Sequence, residues 1–189
     1  MKAGGMARGT VLVVEDQERL ADLYETWLSA EYEVRTAHIA GEARELLEDD
    51  IDVALLDRRL PDGSGDDVLS MIRESGIDAR VAMVTAVDPD FDILEMGFDD
   101  YVVKPVTEAD LHEIVEGLLD RDHYSEEIQR YYALASKRAT LESEKSADEL
   151  DASPEYDKLL EGLTELRSSL REQAGEFDEA DYEALFREL

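Results

Sequence analysis

Four short apolar runs constrain this chain more than any other feature, because each leads into a polar or charged residue. Val11-Leu12-Val13-Val14 runs into Glu15-Asp16, Val53-Ala54-Leu55-Leu56 into Asp57, Val81-Ala82-Met83-Val84 into Thr85, and Tyr101-Val102-Val103 into Lys104-Pro105. Runs so short and so uniformly apolar suit strands buried on both faces of a parallel sheet. Helical patterns fall between them. Leu20, Leu23, Tyr24, Trp27 and Leu28 share one helix face, as do Ile39, Ala43, Leu46 and Leu47. Leu111, Ile114, Val115, Leu118 and Leu119 form a third such face, behind Thr107 as N-cap with Asp110 in the first turn.

The pattern predicts strands at 10–15, 32–37, 51–56, 80–85 and 100–103, alternating with helices. Alternation of this kind gives an α/β fold: a doubly wound, five-stranded parallel sheet with the flavodoxin-like order 2-1-3-4-5. After Asp120 no strand pattern returns. An all-α module follows, with a helix opening at Ser125-Glu126-Glu127 and a polar stretch over 142–153. Ser153 as N-cap and Pro154 at the first helical position then start another helix. Tyr156, Leu159, Leu160, Leu163, Leu166 and Leu170 line one of its faces. That stripe suits either a coiled-coil seam or one side of an antiparallel hairpin packed on helix 125–141. Gly175 ends the helix, and Asp178 caps a last short one carrying Tyr182, Leu185, Phe186 and Leu189. The expected domains are 10–121 and 122–189.

Open parallel sheets bind ligands at the carboxyl ends of their strands. One rim therefore receives three acids, a hydroxyl and a lysine. Mg²⁺ is a hard cation that takes one or two carboxylates and keeps several waters. Asp16 and Asp57 can supply those carboxylates, with Glu15 acting through water. Asp57 is also a candidate nucleophile, because a carboxylate can form an acyl phosphate. Phosphoryl transfer depends on positioning and charge neutralisation, to which Lys104 and Thr85 contribute. A haloacid-dehalogenase-type enzyme needs a second Asp two residues after the first, and position 59 is Arg. A dinucleotide-binding enzyme needs a Gly-rich loop after the first strand, and none is present.

The net charge is −30, with 49 acidic and 19 basic residues, and the acid is spread along the whole chain. Self-repulsion on this scale destabilises a compact state in dilute salt. Molar salt shortens the screening length to about 3 Å and removes most of that cost. Arginine outnumbers lysine 14 to 5. This acidic, lysine-poor composition suits a halophile. Residues 122–189 carry 8 basic and 19 acidic residues, with Lys137-Arg138 the one adjacent basic pair. DNA binding needs basic residues gathered on one face, so it is the weaker reading of the output. No cysteine, signal peptide or membrane-spanning run is found, and a cytoplasmic location is expected.

The runs Val13-Val14-Glu15-Asp16, Leu55-Leu56-Asp57-Arg58-Arg59-Leu60-Pro61-Asp62-Gly63-Ser64-Gly65, Val84-Thr85-Ala86 and Tyr101-Val102-Val103-Lys104-Pro105 resemble the receiver domain of two-component response regulators. The resemblance implies that Asp57 accepts phosphate from a sensor histidine kinase. It implies Mg²⁺ held by Asp16, Asp57 and the Arg59 backbone carbonyl, with Glu15 behind. It implies further that Thr85 and Lys104 contact the phosphoryl group, that Lys104-Pro105 is cis, and that Tyr101 is the aromatic that moves on activation. Residues 124–172 resemble the HalX domain found behind receivers in halophilic archaea, through Tyr131-Tyr132-Ala133-Leu134-Ala135-Ser136-Lys137-Arg138-Ala139-Thr140-Leu141-Glu142 and Glu155-Tyr156-Asp157-Lys158-Leu159. The expected function is a phosphorelay response regulator. Its catalysis is limited to phosphotransfer and autodephosphorylation. Its helical module acts on an effector protein or in a homodimer, or, as the alternative, on DNA.

Two details depart from the family pattern. The segment from Thr85 to Lys104 is short, and Asp88-Pro89-Asp90 disfavours an early helix start, so the fourth helix is expected to be short or irregular. Val87, two residues after Thr85, cannot hydrogen-bond a water attacking at Asp57, and Arg59 can cover it, so phosphate loss is expected to be slow. Val87→Glu should accelerate decay of the phosphorylated chain, followed as loss of hydroxylamine-sensitive phosphate. An unchanged rate would remove Val87 as the cause.

Overall fold

A computed structural model describes residues 7–121 and 126–173. The expected features at Ser125, Gly175, Asp178, Tyr182, Leu185, Phe186 and Leu189 lie outside the described residues. The elements run β1 (Thr10–Val14), α1 (Glu18–Leu28), β2 (Glu33–Ala37), α2 (Ala40–Leu46), β3 (Val53–Leu56), β4 (Arg59–Leu60), β5 (Gly63–Ser64) and α3 (Gly65–Ser75). They continue with β6 (Arg80–Thr85), a 3₁₀ helix (Phe91–Glu95), β7 (Asp100–Val103), α4 (Glu108–Arg121), α5 (Glu126–Glu144), α6 (Ala147–Asp151) and α7 (Pro154–Gln173). No described helix is long and apolar enough to cross a membrane.

The main sheet has the order β2-β1-β3-β6-β7, which is the flavodoxin-like order expected. The pairings β1–β2, β1–β3 and β3–β6 are all parallel. β1 and β3 are buried at every position, and β6 at every position but the first. This is why their sequences are runs rather than alternations.

The chain divides into two compact units. The first comprises 1–87 and 102–119. Val11, Val13, Val53, Leu55, Ala82 and Val84 point to one face of its sheet, where Tyr24, Leu28, Leu111, Val115 and Leu118 complete the core. Leu12, Leu56 and Met83, all fully buried, fall on the opposite face by the two-residue alternation of a strand. α2 and α3 pack on each other and on β1, β2 and β3. The α1 stripe differs from expectation. Its buried line is Ala21, Tyr24 and Leu28, while Leu23 sits at the edge, 40% exposed. α2 ends at Leu46, because Leu47 has turned extended.

The second unit comprises 88–101 and 120–189. Its fourth-helix segment forms a single 3₁₀ helix, in line with the expected irregularity, and Asp90 caps it by accepting from Phe91 N–H. α5 and α7 form an antiparallel hairpin: Tyr156 donates to Glu142 at one end, and Ile128 packs with Leu170 at the other. The leucine stripe is therefore the inner side of a hairpin. Ser153 caps α7 by accepting from Tyr156 N–H at 3.1 Å. The polar stretch 142–153 is more structured than its composition suggests. It holds the end of α5 and all of α6, which starts from a capping box between Ser146 and Glu149.

Candidate phosphoacceptor and metal site

The rim of the first unit is assembled by backbone register. Val14 pairs with both Ala37 and Leu56, placing the residues that follow β1 and β3 side by side. Glu15 N–H then donates to Ala37 O at 2.9 Å, Asp57 N–H to Val14 O at 2.9 Å, and Lys104 N–H to Thr85 O at 2.8 Å. Glu15, Asp57, Thr85 and Lys104 are thereby fixed at the carboxyl edge. The strand order reverses between β1 and β3, so this is also the switch point where such sheets bind ligands.

Asp57 is 6% exposed, and each of its carboxylate oxygens is engaged. Oδ1 accepts from the Thr85 hydroxyl at 2.8 Å and from the Arg59 backbone N–H at 3.0 Å. Oδ2 accepts from the Lys104 ammonium at 2.5 Å, and the same ammonium reaches Glu15 Oε2 at 2.5 Å. Thr85 is fully buried and its Oγ1 in turn accepts from Val87 N–H at 3.3 Å. Burial pushes the Glu15 carboxyl above its usual range, with the Lys104 hydrogen bond opposing.

Glu15, Asp16 and Asp57 bring one carboxylate oxygen each within 4.8 Å of one another. Asp16 is the exposed member. Three carboxylates against one ammonium leave the cluster short of positive charge, and the donors are all oxygens. That composition fits a hard divalent cation. Asp16, Asp57 and Glu15 are the side chains able to hold one.

The structure thus gathers five of the expected residues: Glu15, Asp16, Asp57, Thr85 and Lys104. The Lys104–Pro105 peptide bond is cis. Arg59 meets the site through its N–H, while its side chain is exposed. Tyr101 belongs to the second unit, where it is buried with its ring centroid 5.5 Å from that of Phe98.

Several supporting residues had no reading in the sequence. Arg58 makes a two-pronged pair with Asp66, at 3.2 and 2.9 Å, tying the loop after Asp57 to the first turn of α3. Ser64 and Asp67 form a capping box at the same helix end. Asp62 reaches back to the start of α2, accepting from Ala40 and Gly41 N–H at 2.7 and 2.9 Å. These two bonds hold its carboxyl below the usual range.

The family comparisons agree with this arrangement. The response regulator receiver domain matches residues 11–116, and the HalX domain matches 107–186. A protein of Haloferax volcanii that carries the provisional name of a transcriptional regulator is 47% identical over 92% of this chain and 29% of its own length. The transcriptional regulatory protein CpxR of Escherichia coli K12 is 36% identical over 63% of this chain and 53% of its own. This chain therefore spans less than a third of the first relative and about half of the second. Among solved structures, the BeF3-activated DrrB receiver domain is 29% identical with a TM-score of 0.56, covering 60% of this chain and 98% of that one. TrrA of Thermotoga maritima, in complex with Mg²⁺-BeF, is 30% identical with a TM-score of 0.51, covering 59% and 99%.

Gly65 generates a test of the geometry. A Cβ at this position would lie 2.2 Å from the Asp57 carbonyl oxygen and 2.9 Å from its carbon. Backbone on both sides leaves nothing flexible to yield. Gly65→Ala should cost about 1–3 kcal/mol of stability by overpacking, measured by denaturant unfolding. A loss below about 0.5 kcal/mol, the range of ordinary surface changes, would mean that Asp57 is not held by this contact.

Proposed function

We propose, on the premise that this chain belongs to the response regulator receiver family and carries a HalX domain behind the receiver, that it is the phosphorylated switch of a two-component relay. Asp57 is the acceptor and a sensor histidine kinase is the donor. The receiver spans 10–121 and the helical output module 122–189. The carrying observation is the convergence of Thr85, Lys104 and the Arg59 N–H on the one buried Asp57 carboxylate, beside Glu15 and Asp16.

In the transfer, a carboxylate oxygen of Asp57 bonds to phosphorus as the phosphorus–nitrogen bond to the donor imidazole breaks. The imidazole leaves and takes its proton from solvent. Lys104, already between Glu15 and Asp57, keeps its ammonium on the site and compensates charge on a phosphoryl oxygen. Thr85 turns its hydroxyl from Asp57 Oδ1 to the new oxygen. Asp16, Asp57 and the Arg59 carbonyl, with Glu15 behind, would hold Mg²⁺, which would supply neutralisation of the developing charge. The Mg²⁺-BeF complex of TrrA supports that choice of ion. Chemistry ends with gain and hydrolytic loss of the phosphoryl group.

The output is assigned to protein–protein interaction or dimerisation by the helical module. The names of the Haloferax and CpxR relatives favour the second reading, a DNA-bound transcription regulator. The uniformly acidic module disfavours it, since phosphate neutralisation supplies most non-specific affinity.

With acetyl phosphate and Mg²⁺, the chain should gain one phosphoryl group that alkali and hydroxylamine release. Asp57→Asn or chelation of the metal should abolish the gain. Labelling that survives Asp57→Asn would overturn the assignment. Size measurement and DNA footprinting at molar KCl, each with and without beryllofluoride–Mg²⁺, separate the outputs. A monomer in both states ends the dimer reading, and protection of DNA in either state promotes the second reading over the first.

A further inference from the structure

Lys137 is the most unusual cation among the described residues of the second unit. It lies on α5, yet it is only 5% exposed. Its ammonium donates to the carbonyl of Met96 at 2.5 Å and to that of Leu94 at 3.3 Å, and it stands 4.9 Å from the centroid of the Phe98 ring. Burial pulls its pKa down to about 8, with the nearby Asp99 carboxylate opposing. A buried ammonium persists only where several groups compensate it. Here two carbonyls and an aromatic face do so, all from the connection between β6 and β7.

That connection needs such a partner. It has no α-helix, and its 3₁₀ helix ends at Glu95 with carbonyls that its own turn does not satisfy. A cation at a helix carboxyl end both donates to those orphan carbonyls and opposes the local dipole. Neighbouring contacts repeat the attachment. Ser136 donates to Asp100 at 2.5 Å, the Thr140 hydroxyl reaches Tyr101 O at 3.5 Å, and Lys145 pairs with Asp90 at 3.0 Å.

We propose that Lys137 is a positioning residue that fastens α5 to the β6–β7 connection and thereby couples the helical module to the state of Asp57. The coupling rests on the reading of Asp57 as phosphoacceptor; the fastening does not. The fastened segment starts three residues after Thr85 and ends at Tyr101, three before Lys104. Thr85 and Lys104 both touch the Asp57 carboxylate. A rearrangement of either at phosphorylation therefore acts on a segment that Lys137 holds in the arrangement where Thr85 bonds the Asp57 carboxylate itself. Coupling of binding equilibria is reciprocal, so releasing the fastening must tighten binding at Asp57.

The test uses the whole chain in molar KCl. Lys137→Met keeps the stem and removes the donors; Arg138→Met, which loses contacts with Glu142 and Tyr156, is the control. Amide exchange over 88–101 should accelerate about tenfold in Lys137→Met with β1 and β3 unchanged, and beryllofluoride–Mg²⁺ should bind about fivefold tighter. Arg138→Met should do neither. Exchange within twofold of the parent overturns the fastening, and unchanged or weaker binding overturns the coupling. If exchange rises throughout the chain, Lys137→Arg decides: restored protection over 88–101 supports the fastening and continued loss overturns it. A parent chain that binds no beryllofluoride removes the reading of Asp57 and the coupling with it, while the exchange result still decides the fastening.

Discussion

The ammonium of Lys104, shared by Glu15 and Asp57, is the interaction on which the rim depends. Two carboxylates lie almost wholly out of water there, with Glu15 at 1% and Asp57 at 6% exposure. Without a cation between them they would repel each other in a medium that screens poorly. The lysine makes their proximity tolerable, and the cis bond to Pro105 sits directly behind it. An ion pair of this kind is weak evidence of stability, since desolvation offsets its attraction. Its value is positional: it holds Asp57 oriented and close to two other acids.

Much of this was legible because buried parallel strands leave an unmistakable trace. β1, β3 and β6 fall within the predicted ranges, and Glu15, Asp57 and Thr85 are readable as strand-end residues for that reason. The irregular fourth helix was also legible, since Asp88-Pro89-Asp90 and the short spacing leave little room for a regular one. The misreadings share a cause. Leu23 was counted in a stripe by its hydrophobicity, but the smaller Ala21 lies closer to the sheet. Ser64, Asp62 and Arg58 act through partners that sequence distance hides or that many loops would offer. Lys137 reads as a solvated helix lysine, because nothing in α5 itself reveals the carbonyls it faces.

The acidic composition bears on the output more than on the fold. Three described basic residues of the second unit are committed within it: Arg138 to Glu142, Lys145 to Asp90, and Lys137 to backbone carbonyls. Charges spent internally are not offered to a polyanion. The same commitments let a strongly acidic hairpin keep its helices together, since each removes one repulsive carboxylate or one unsatisfied acceptor from the balance.

The contact of Gly65 with the Asp57 carbonyl has a mechanical meaning. It backs Asp57 against the start of α3, where Arg58, Asp66, Ser64 and Asp67 are already cross-linked. That side of the site behaves as an anvil. Under the proposed function, a group added to the Asp57 side chain would meet this fixed backbone, leaving the hydroxyl of Thr85 and the stem of Lys104 as the parts to yield. One missing methyl would thus give the proposed switch a direction.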